Sequence, residues 1–506
     1  MKFKILLIII SLLASLIIVS CGANNGGSEN IPDDVIDETA LYTLKYTVNH
    51  PMMGAVSGNK IQELTYNDIG AAVRAREYTG YKFIGWSDGV KTNSHTMEKI
   101  KKDTTITAIF NYDFREMPVI AINTDDFTTV TSKTNYIKTT VSLIETDGKI
   151  IHDSLIAQIR GRGNATWNIM EKKSYRIKFD EKIDLIGNGE KKAKDWVLLA
   201  NHCDQSMLRN YTAFETAKRL GAVGIFASDS LFAELYLNGK YDGVYQICEQ
   251  VEVQKNRVNI DETREGTDNG YLIELDRYYE GAENTDYFFV ENIPYSIKSN
   301  INSPAQVEYL IKYISDIDKA VRSGEQSELE KLIDIDSCVG MYILQEYMKN
   351  IDVGWSSFFM YIKEDGGKLY FGPPWDFDLA AGNDYRLDNG SYEGLYVGNA
   401  NVRMDQRHRW FQTLVQYDWF KGLVKEKWNN TKVEIAALNL KIKKTSEDYK
   451  ISFKRNFERW PIFGHRINQE PDHIMALNTY KKHADYLFEW LENRYNWLDD
   501  FFNLYF

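Results

Sequence analysis

Two short apolar segments joined by an Asp-Gly-Gly turn constrain this chain of 506 residues more than any other stretch. The sequence runs NIDVGWSS (350–357), FFMYIK (358–363), EDGG (364–367), KLYFGP (368–373) and PWDFD (374–378). Apolar runs of this length around a glycine-containing turn read as a β-hairpin. A hairpin returns the chain to where it began, so Asp352 at its entrance and Asp376 at its exit are expected to meet. Phosphoryl transfer uses such a layout. One aspartate orients the attacking hydroxyl, a strand pair follows, and a second aspartate holds a divalent metal against the phosphates. Plainer roles remain open at this stage: Asp352 as an acid ending a helix, and Asp376 with Asp378 as a capping or Ca2+-binding pair.

A second pattern lies upstream. Arg160-Gly161-Arg162-Gly163-Asn164-Ala165-Thr166-Trp167 leaves the strand-like SLIAQIRG and leads to SYRIKFD (174–180). Glycines after a strand let backbone N–H groups approach phosphate oxygens, and arginines add charge-assisted donors. On the returning strand Tyr175, Ile177 and Phe179 share one face, and Arg176 and Lys178 the other. That places apolar residues toward a core and two cations toward a cleft. A tight turn with exposed arginines and a half-exposed strand would have the same sequence.

Length and composition set the frame. A chain this long exceeds one ordinary hydrophobic core, so two or more units are expected. Its net charge of −12 argues against a general nucleic-acid binder, which needs a basic field. A nucleotide needs only a local cluster of donors. Cys203, Cys248 and Cys338 stand alone, without metal-ligand spacing, and read as small buried hydrophobes.

The N-terminus has Lys2 and Lys4 before the apolar run LLIIISLLASLIIVS, as a secretory signal does. Its end, Ile18-Val19-Ser20-Cys21-Gly22, resembles a lipobox, and the Gly/Asn/Ser-rich GANNGGSEN follows. Residues 1–21 are therefore expected to be a lipoprotein signal with anchor cysteine, and 22–41 a flexible tether. No other segment is apolar for long enough to span a bilayer. Residues 42–112 alternate as short strands. They resemble one internalin-type B repeat through Gly80-Tyr81, Phe83, Gly85-Trp86-Ser87-Asp88-Gly89 and DTTITAIF (103–110). Asp88 and Asp103 read as turn and loop-end residues. Such a module implies a spacer, or an adhesive unit with cell-wall or glycan contact.

From residue 118 to 506 strand patterns (PVIAINT, TTVSLIE, SLIAQIRG, SYRIKFD) precede helical ones (MLRNYTAFETAKRLG, DSCVGMYILQEYMKN and the final HADYLFEWLENRYNWLDDFF), which predicts an α+β domain with a sheet lobe and a helical lobe. In the last helix Tyr486, Trp490, Trp497 and Phe501 form one apolar stripe for docking on the helical lobe. Blocks GRGNATW, KKSYRIKF, DWVLLANHCDQSMLRNYTAFETAKRLG, AELYLNGKYDGVYQICEQV, GYLIELD and LYFGPPWDFDLAAGN resemble, in order, those of the CotH (spore coat protein H) kinase family. The resemblance implies an atypical two-lobed protein-kinase fold that uses ATP with Mg2+ or Mn2+ on Ser or Thr of exported or surface proteins.

Carried over by position, it implies Asp352 as the catalytic aspartate, and Asp376 with Asp378 on the metal. Lys178 would contact phosphate, with Arg160, Arg162 and Asn164 in the nucleotide loop and Glu249 near the nucleotide. Asp204 and Arg209-Asn210 match family blocks too, Asp204 suiting a helix cap. Ser357 departs from the pattern where kinases place a second metal-binding Asn. A catalytically silent surface adhesin or scaffold, and a polysaccharide-binding protein, are the competing expectations.

Overall fold

The alternation read from 42 to 112 folds as two small sheets. Their strands are β1 (Tyr42–Val48), β2 (Gly54–Ser57), β3 (Ile61–Leu64), β4 (Val73–Glu77), β5 (Tyr81–Trp86), β6 (Ser94–His95) and β7 (Thr104–Tyr112), in orders β3-β1-β7-β5 and β2-β4-β6. The computed structural model describes residues 38–506 apart from 52, 78–80, 113–115, 188, 190, 222–225, 282–285 and 400–408. The leader, Cys21, residues 22–37 of the tether, and Gly80 lie outside the described residues. Trp86 plugs the core between the sheets with Leu44, Tyr46 and Phe110, and its Nε1 donates to the Thr92 carbonyl at 3.0 Å. Gly89, at φ +96°, takes the left-handed turn after it. Asp88 goes beyond a turn role: it pairs at 2.6 Å with buried His95, whose Nδ1 meets the Tyr46 hydroxyl at 2.9 Å. Asp103 accepts the Thr43 amide at 2.8 Å, as a loop-end acid does.

Next, β8 (Val119–Thr124), β9 (Ile137–Ile144), β10 (Ile150–Arg162), β11 (Ser174–Ile183), β12 (Ala193–Leu199), β13 (Ser230–Leu237) and β14 (Lys240–Glu249) close into a barrel ordered β10-β11-β12-β14-β13-β8-β9. The β8–β13 pair is parallel and the others are antiparallel. Period-two alternation sends Ala157, Ile159, Tyr175, Ile177 and Phe179 into the barrel interior. Their neighbours Arg160, Arg162 and Arg176 therefore point outward, where side chains can meet a ligand. Helices α1 (Ala165–Asn168) and α2 (Arg209–Leu220) interrupt the strands.

A five-stranded sheet follows: β15 (Tyr271–Leu275), β16 (Tyr287–Val290), β17 (Ile293–Ile297), β18 (Phe358–Ile362) and β19 (Leu369–Phe371), ordered β16-β17-β15-β18-β19. β18 and β19 are the expected hairpin, in register Met360↔Phe371, Tyr361↔Tyr370 and Ile362↔Leu369. Helices α3 (Pro304–Ser323), α4 (Gln326–Leu332) and α5 (Ile335–Met348) lie between β17 and β18. After β19 come α6 (Arg409–Leu414), α7 (Asp418–Asp448), α8 (Lys450–Arg459), α9 (Asp472–Met475) and α10 (Tyr480–Tyr505). Strands and helices thus interleave beyond α2, where the patterns had suggested strands first and helices after. β16 and β17, at four and five residues, are too short to show a period of their own. On α10 the buried face centres on Leu487, Leu491, Leu498 and Phe502. Of the predicted stripe only Trp490 is buried, while Tyr486, Trp497 and Phe501 flank it.

One helix ties the last part of the chain to the barrel. On α8, Asn456 Oδ1 accepts from the Val244 amide at 3.0 Å and from Lys172 Nζ at 2.8 Å. Arg455 donates to Glu234 of β13 at 3.0 Å, and Phe453 packs edge-on against Phe232. Just beyond α8, Trp460 Nε1 donates to the Asp242 carbonyl at 2.7 Å. Cys203, Cys248 and Cys338 are free and buried, as their isolation in the sequence suggested. Among the described residues no helix is long and apolar enough to cross a membrane.

Candidate active site

The catalytic-loop candidate is placed by a helix buried on every side. Asp334 caps α5 by accepting the Ser337 amide at 2.8 Å, and Lys349 ends it in a left-handed conformation at φ +43°. Lys349 Nζ reaches the Ser391 and Glu393 carbonyls at 2.9 and 2.7 Å. Asn350 then caps one 3-10 turn, Ile351–Gly354, by accepting the Asp352 amide at 3.2 Å. Asp352 is thereby fixed at the mouth of the hairpin.

At the exit, the loop carrying Asp376 and Asp378 is pinned by α2. Asn210 Oδ1 accepts the Phe377 amide at 2.7 Å, and Arg209 donates to the carbonyls of Ala380 at 2.9 Å and Ala381 at 3.2 Å. Arg209 is itself held by Asp204 in a buried ion pair. Asp204 also accepts the Arg209 amide at 2.8 Å and the Ser206 amide at 2.9 Å; it thus takes the first amide of α2 from outside the cap position, which Leu208 occupies. It further orients the side chain that positions the acidic loop.

These acids and the barrel cations line one cleft of about 1180 Å³. Asp352, Asp376 and Asp378 lie on its rim with Arg160, Arg162 and Asn164, as the sequence predicted. Arg162 stacks on Trp375, whose ring lies 5.2 Å away, beside Asp376. Arg160 stacks on Tyr136 at 5.2 Å and donates to the Lys133 carbonyl. Arg160 and Arg176 are directly opposed across β10 and β11. Like charges in that position repel. Asp195, at 2.8 Å from Arg176, offsets part of this repulsion, and an anion in the cleft would offset the rest.

Two predicted residues lie elsewhere. Lys178 is exposed and absent from the lining, which takes its β11 cation from Arg176. The two share a strand face, but Lys178 is two residues farther along, opposite Gln158. Glu249 is sealed behind the cleft wall, where it accepts the Asp229 amide at 2.9 Å and lies 3.8 Å from Arg257 Nε. Arg257 in turn holds Glu252 at 2.5 Å, and it is Glu252 that reaches the cleft. The glycines need a different account as well. The Gly161 amide is taken by the Ser132 carbonyl at 2.8 Å, and a Cβ at Gly161 would strike the Trp167 ring at 2.1 Å. Close packing requires this glycine, whereas Gly163 serves a turn at φ +95°.

Sequence reasoning missed Glu274, Asp276 and Lys298, all in the lining. Lys298 lies 3.0 Å from Glu274 and 3.6 Å from Asp276. Glu274 accepts the Ser357 amide at 3.0 Å, and the Ser357 hydroxyl donates to Asp376 at 3.3 Å. An acid inside the apolar run YLIEL was the available signal, because an acid in a buried strand needs a partner. Gln250, Val251 and Val253, just after β14, complete the wall with Leu199, Phe359 and Trp375.

The electrostatics match this crowding. Burial, then the neighbouring Asp376 charge, push the Asp352 carboxyl up to about 7, with Arg386 opposing the rise. Burial raises Asp376, offset by Arg162 and the Ser357 hydroxyl. Asp378 is pushed well above the usual carboxylate range by burial and by Asp376, Asp352 and Asp204. Glu274 rises to about 7, mainly by burial. A cluster so short of counter-charge favours a bound cation.

A family model described as CotH kinase protein matches residues 159–498, about two thirds of the chain. The chain belongs to that family. CotH proteins are atypical protein kinases, so ATP is the implied phosphate donor. The match opens within β10, while the barrel it enters also includes β8 and β9. No curated protein matches the chain.

The cleft suits ATP: Leu199, Val251, Val253, Phe359 and Trp375 offer an apolar surface for a base, and the β10 and β11 arginines offer donors to phosphates. Among the described residues no three His, Cys, Asp or Glu side chains converge into a metal cage.

Proposed function

We propose that this CotH-family chain is an extracytoplasmic kinase that uses ATP and Mg2+ or Mn2+ to phosphorylate Ser or Thr on surface or secreted proteins. The observation that carries the reading is the convergence of Asp352 and Asp376, from the two ends of one hairpin, on a cleft whose barrel wall holds Arg160, Arg162 and Arg176. The barrel and the helical part after it would act as the two lobes. Asp376 and Asp378 would hold the metal, which supplies charge neutralisation at the phosphates. Asp352 would orient the acceptor hydroxyl and take its proton, a role that a carboxyl raised by burial and by Asp376 supports. Arg160 and Arg162 would hold phosphate oxygens, and the apolar wall would exclude water from the base.

Export and anchoring rest on the leader and Cys21, and a spacer role on the β module. Labelled palmitate should enter the wild-type chain in cells, whereas Cys21→Ser should stay unlabelled and leave the membrane fraction. Transfer of labelled γ-phosphate to secreted proteins tests the activity: Asp352→Ala and Asp376→Ala should each remain folded and lose it. Equal labelling by all three chains would refute the reading. A second reading draws on Ser357, which stands where a second metal-binding Asn is expected: a nucleotide-binding surface scaffold. It predicts thermal stabilisation by ATP with Mn2+ and no transfer.

A further inference from the structure

Past Asp378 the chain folds back on itself and brings Arg386 into the lining of the cleft. Arg386 is held by a single group, Asp384. The Asp384 side chain is 0% exposed, and it accepts from the Arg386 amide at 2.8 Å, from Nε at 2.9 and 3.1 Å, and from Nη2 at 2.5 Å. Among the described residues no other donor reaches that carboxylate, and Arg386 Nη1 has no acceptor. The arrangement is asymmetric. The acid is sealed, while the guanidinium keeps 34% of its side-chain surface open and lines the cleft. An arginine fork fixed along one edge presents its free edge in a defined direction, and that edge suits phosphate oxygens.

The neighbourhood gives that direction a meaning. Arg386 and Asp352 line the same cleft. The Tyr396 hydroxyl donates to the Ile351 carbonyl at 3.0 Å and props the Asp352 turn. Arg386 is the cation that opposes the upward push on the Asp352 carboxyl. Arg160, Arg162 and Arg176 come from the barrel strands, whereas Arg386 comes from the loop that follows Asp378, so it adds a guanidinium from the same part of the chain as Asp352 and Asp376.

We propose that Arg386 is a catalytic residue whose free guanidinium edge binds the phosphoryl oxygens during transfer, and that Asp384 is its positioning residue. This rests on the kinase reading of the cleft. In the step, the acceptor oxygen bonds to the γ-phosphorus as the bond to the β,γ-bridging oxygen breaks. ADP leaves with that electron pair, and the hydroxyl proton passes to Asp352. Arg386 forms no covalent bond; it offsets charge on the peripheral oxygens, which are most exposed in a loose transition state.

The test uses the full chain with ATP, Mn2+ and casein as a generic acceptor, measuring kcat, KM for ATP and melting temperature. Arg386→Ala should lower kcat about 100-fold or more while KM for ATP changes less than about threefold; melting falls because Asp384 is left buried without its partner, so kcat is read well below that melting point. Arg386→Lys should recover part of the loss, and added guanidinium should partly rescue Arg386→Ala. Asp384→Asn should lower kcat about tenfold, because the fork loses its fixed direction. Wild-type transfer with Arg386→Ala within threefold of it in kcat would overturn this assignment alone. A wild-type chain that neither transfers phosphate nor responds to ATP would overturn the kinase reading and this proposal with it.

Discussion

The two walls of the cleft are built on opposite principles. Barrel cations Arg160, Arg162 and Arg176 are half-buried, and two of them lie on aromatic rings. The facing acids are fixed through backbone: Asp352 by an Asn350 cap, and the Asp376 loop by Arg209 and Asn210. A cation that keeps contact with water can adjust to its ligand at little cost. The acids are half-buried too, but their short side chains move only with their backbone, whose position Asn350, Arg209 and Asn210 hold. Removing a cation should therefore weaken binding, whereas disturbing the acids or their supports should stop chemistry or unfold the protein.

The largest expected effect is at the acidic wall. Asp376→Asn should reduce phosphate transfer about 1000-fold or more, while the melting temperature holds or rises because one crowded charge is gone. Calorimetry alongside a transfer assay checks both halves. Next, Arg209→Leu breaks the buried pair with Asp204 and leaves that acid uncompensated, at a cost of about 3–5 kcal/mol in denaturant unfolding. An equally stable variant would erase the contrast between the walls.

The third prediction concerns pH. His483 on α10 is buried, donates from Nε2 to the Leu477 carbonyl at 3.0 Å, and lies near Arg209 and Asp204. Burial lowers its pKa to about 4, from an ordinary 6.5. As pH falls below about 6.5 the unfolded chain takes the proton first, so this stability, complete above 6.5, is lost toward pH 4. The loss is about 3 kcal/mol at most, and His483→Gln should flatten that acid slope in urea titrations. Smallest are the effects at the barrel wall. Arg162→Ala should weaken ATP binding about 10- to 100-fold by calorimetric titration with melting almost unchanged. Lys178→Ala should change it less than about twofold, and a large loss there would return Lys178 to the site.

The hairpin, the barrel strands β8 to β11 and both principal acids were legible because their information is local: a period of two, a turn signal, a carboxylate beside each strand end. Position in the family blocks points to Lys178; alternation puts Arg176 on the same strand face, and the sequence does not tell which of the two reaches the cleft. Glu249 was misplaced for a similar reason, since the chain enters the cleft wall only after β14 ends. Glu274, Lys298 and Arg386 were missed because their significance depends on residues far away in sequence or on a buried partner. The Gly161 signal was present, but its cause is the Trp167 ring.

The strap formed by α8 has a mechanical consequence. Asn456, Arg455 and Trp460 fasten the far end of the chain to three barrel positions, at Val244, Glu234 and Asp242. None of these fasteners lines the cleft, and together they oppose any hinge that would part the barrel from α8. Spent nucleotide would then leave by the swing of arginine side chains, and a spectroscopic ruler across the cleft should read the same span with and without ADP.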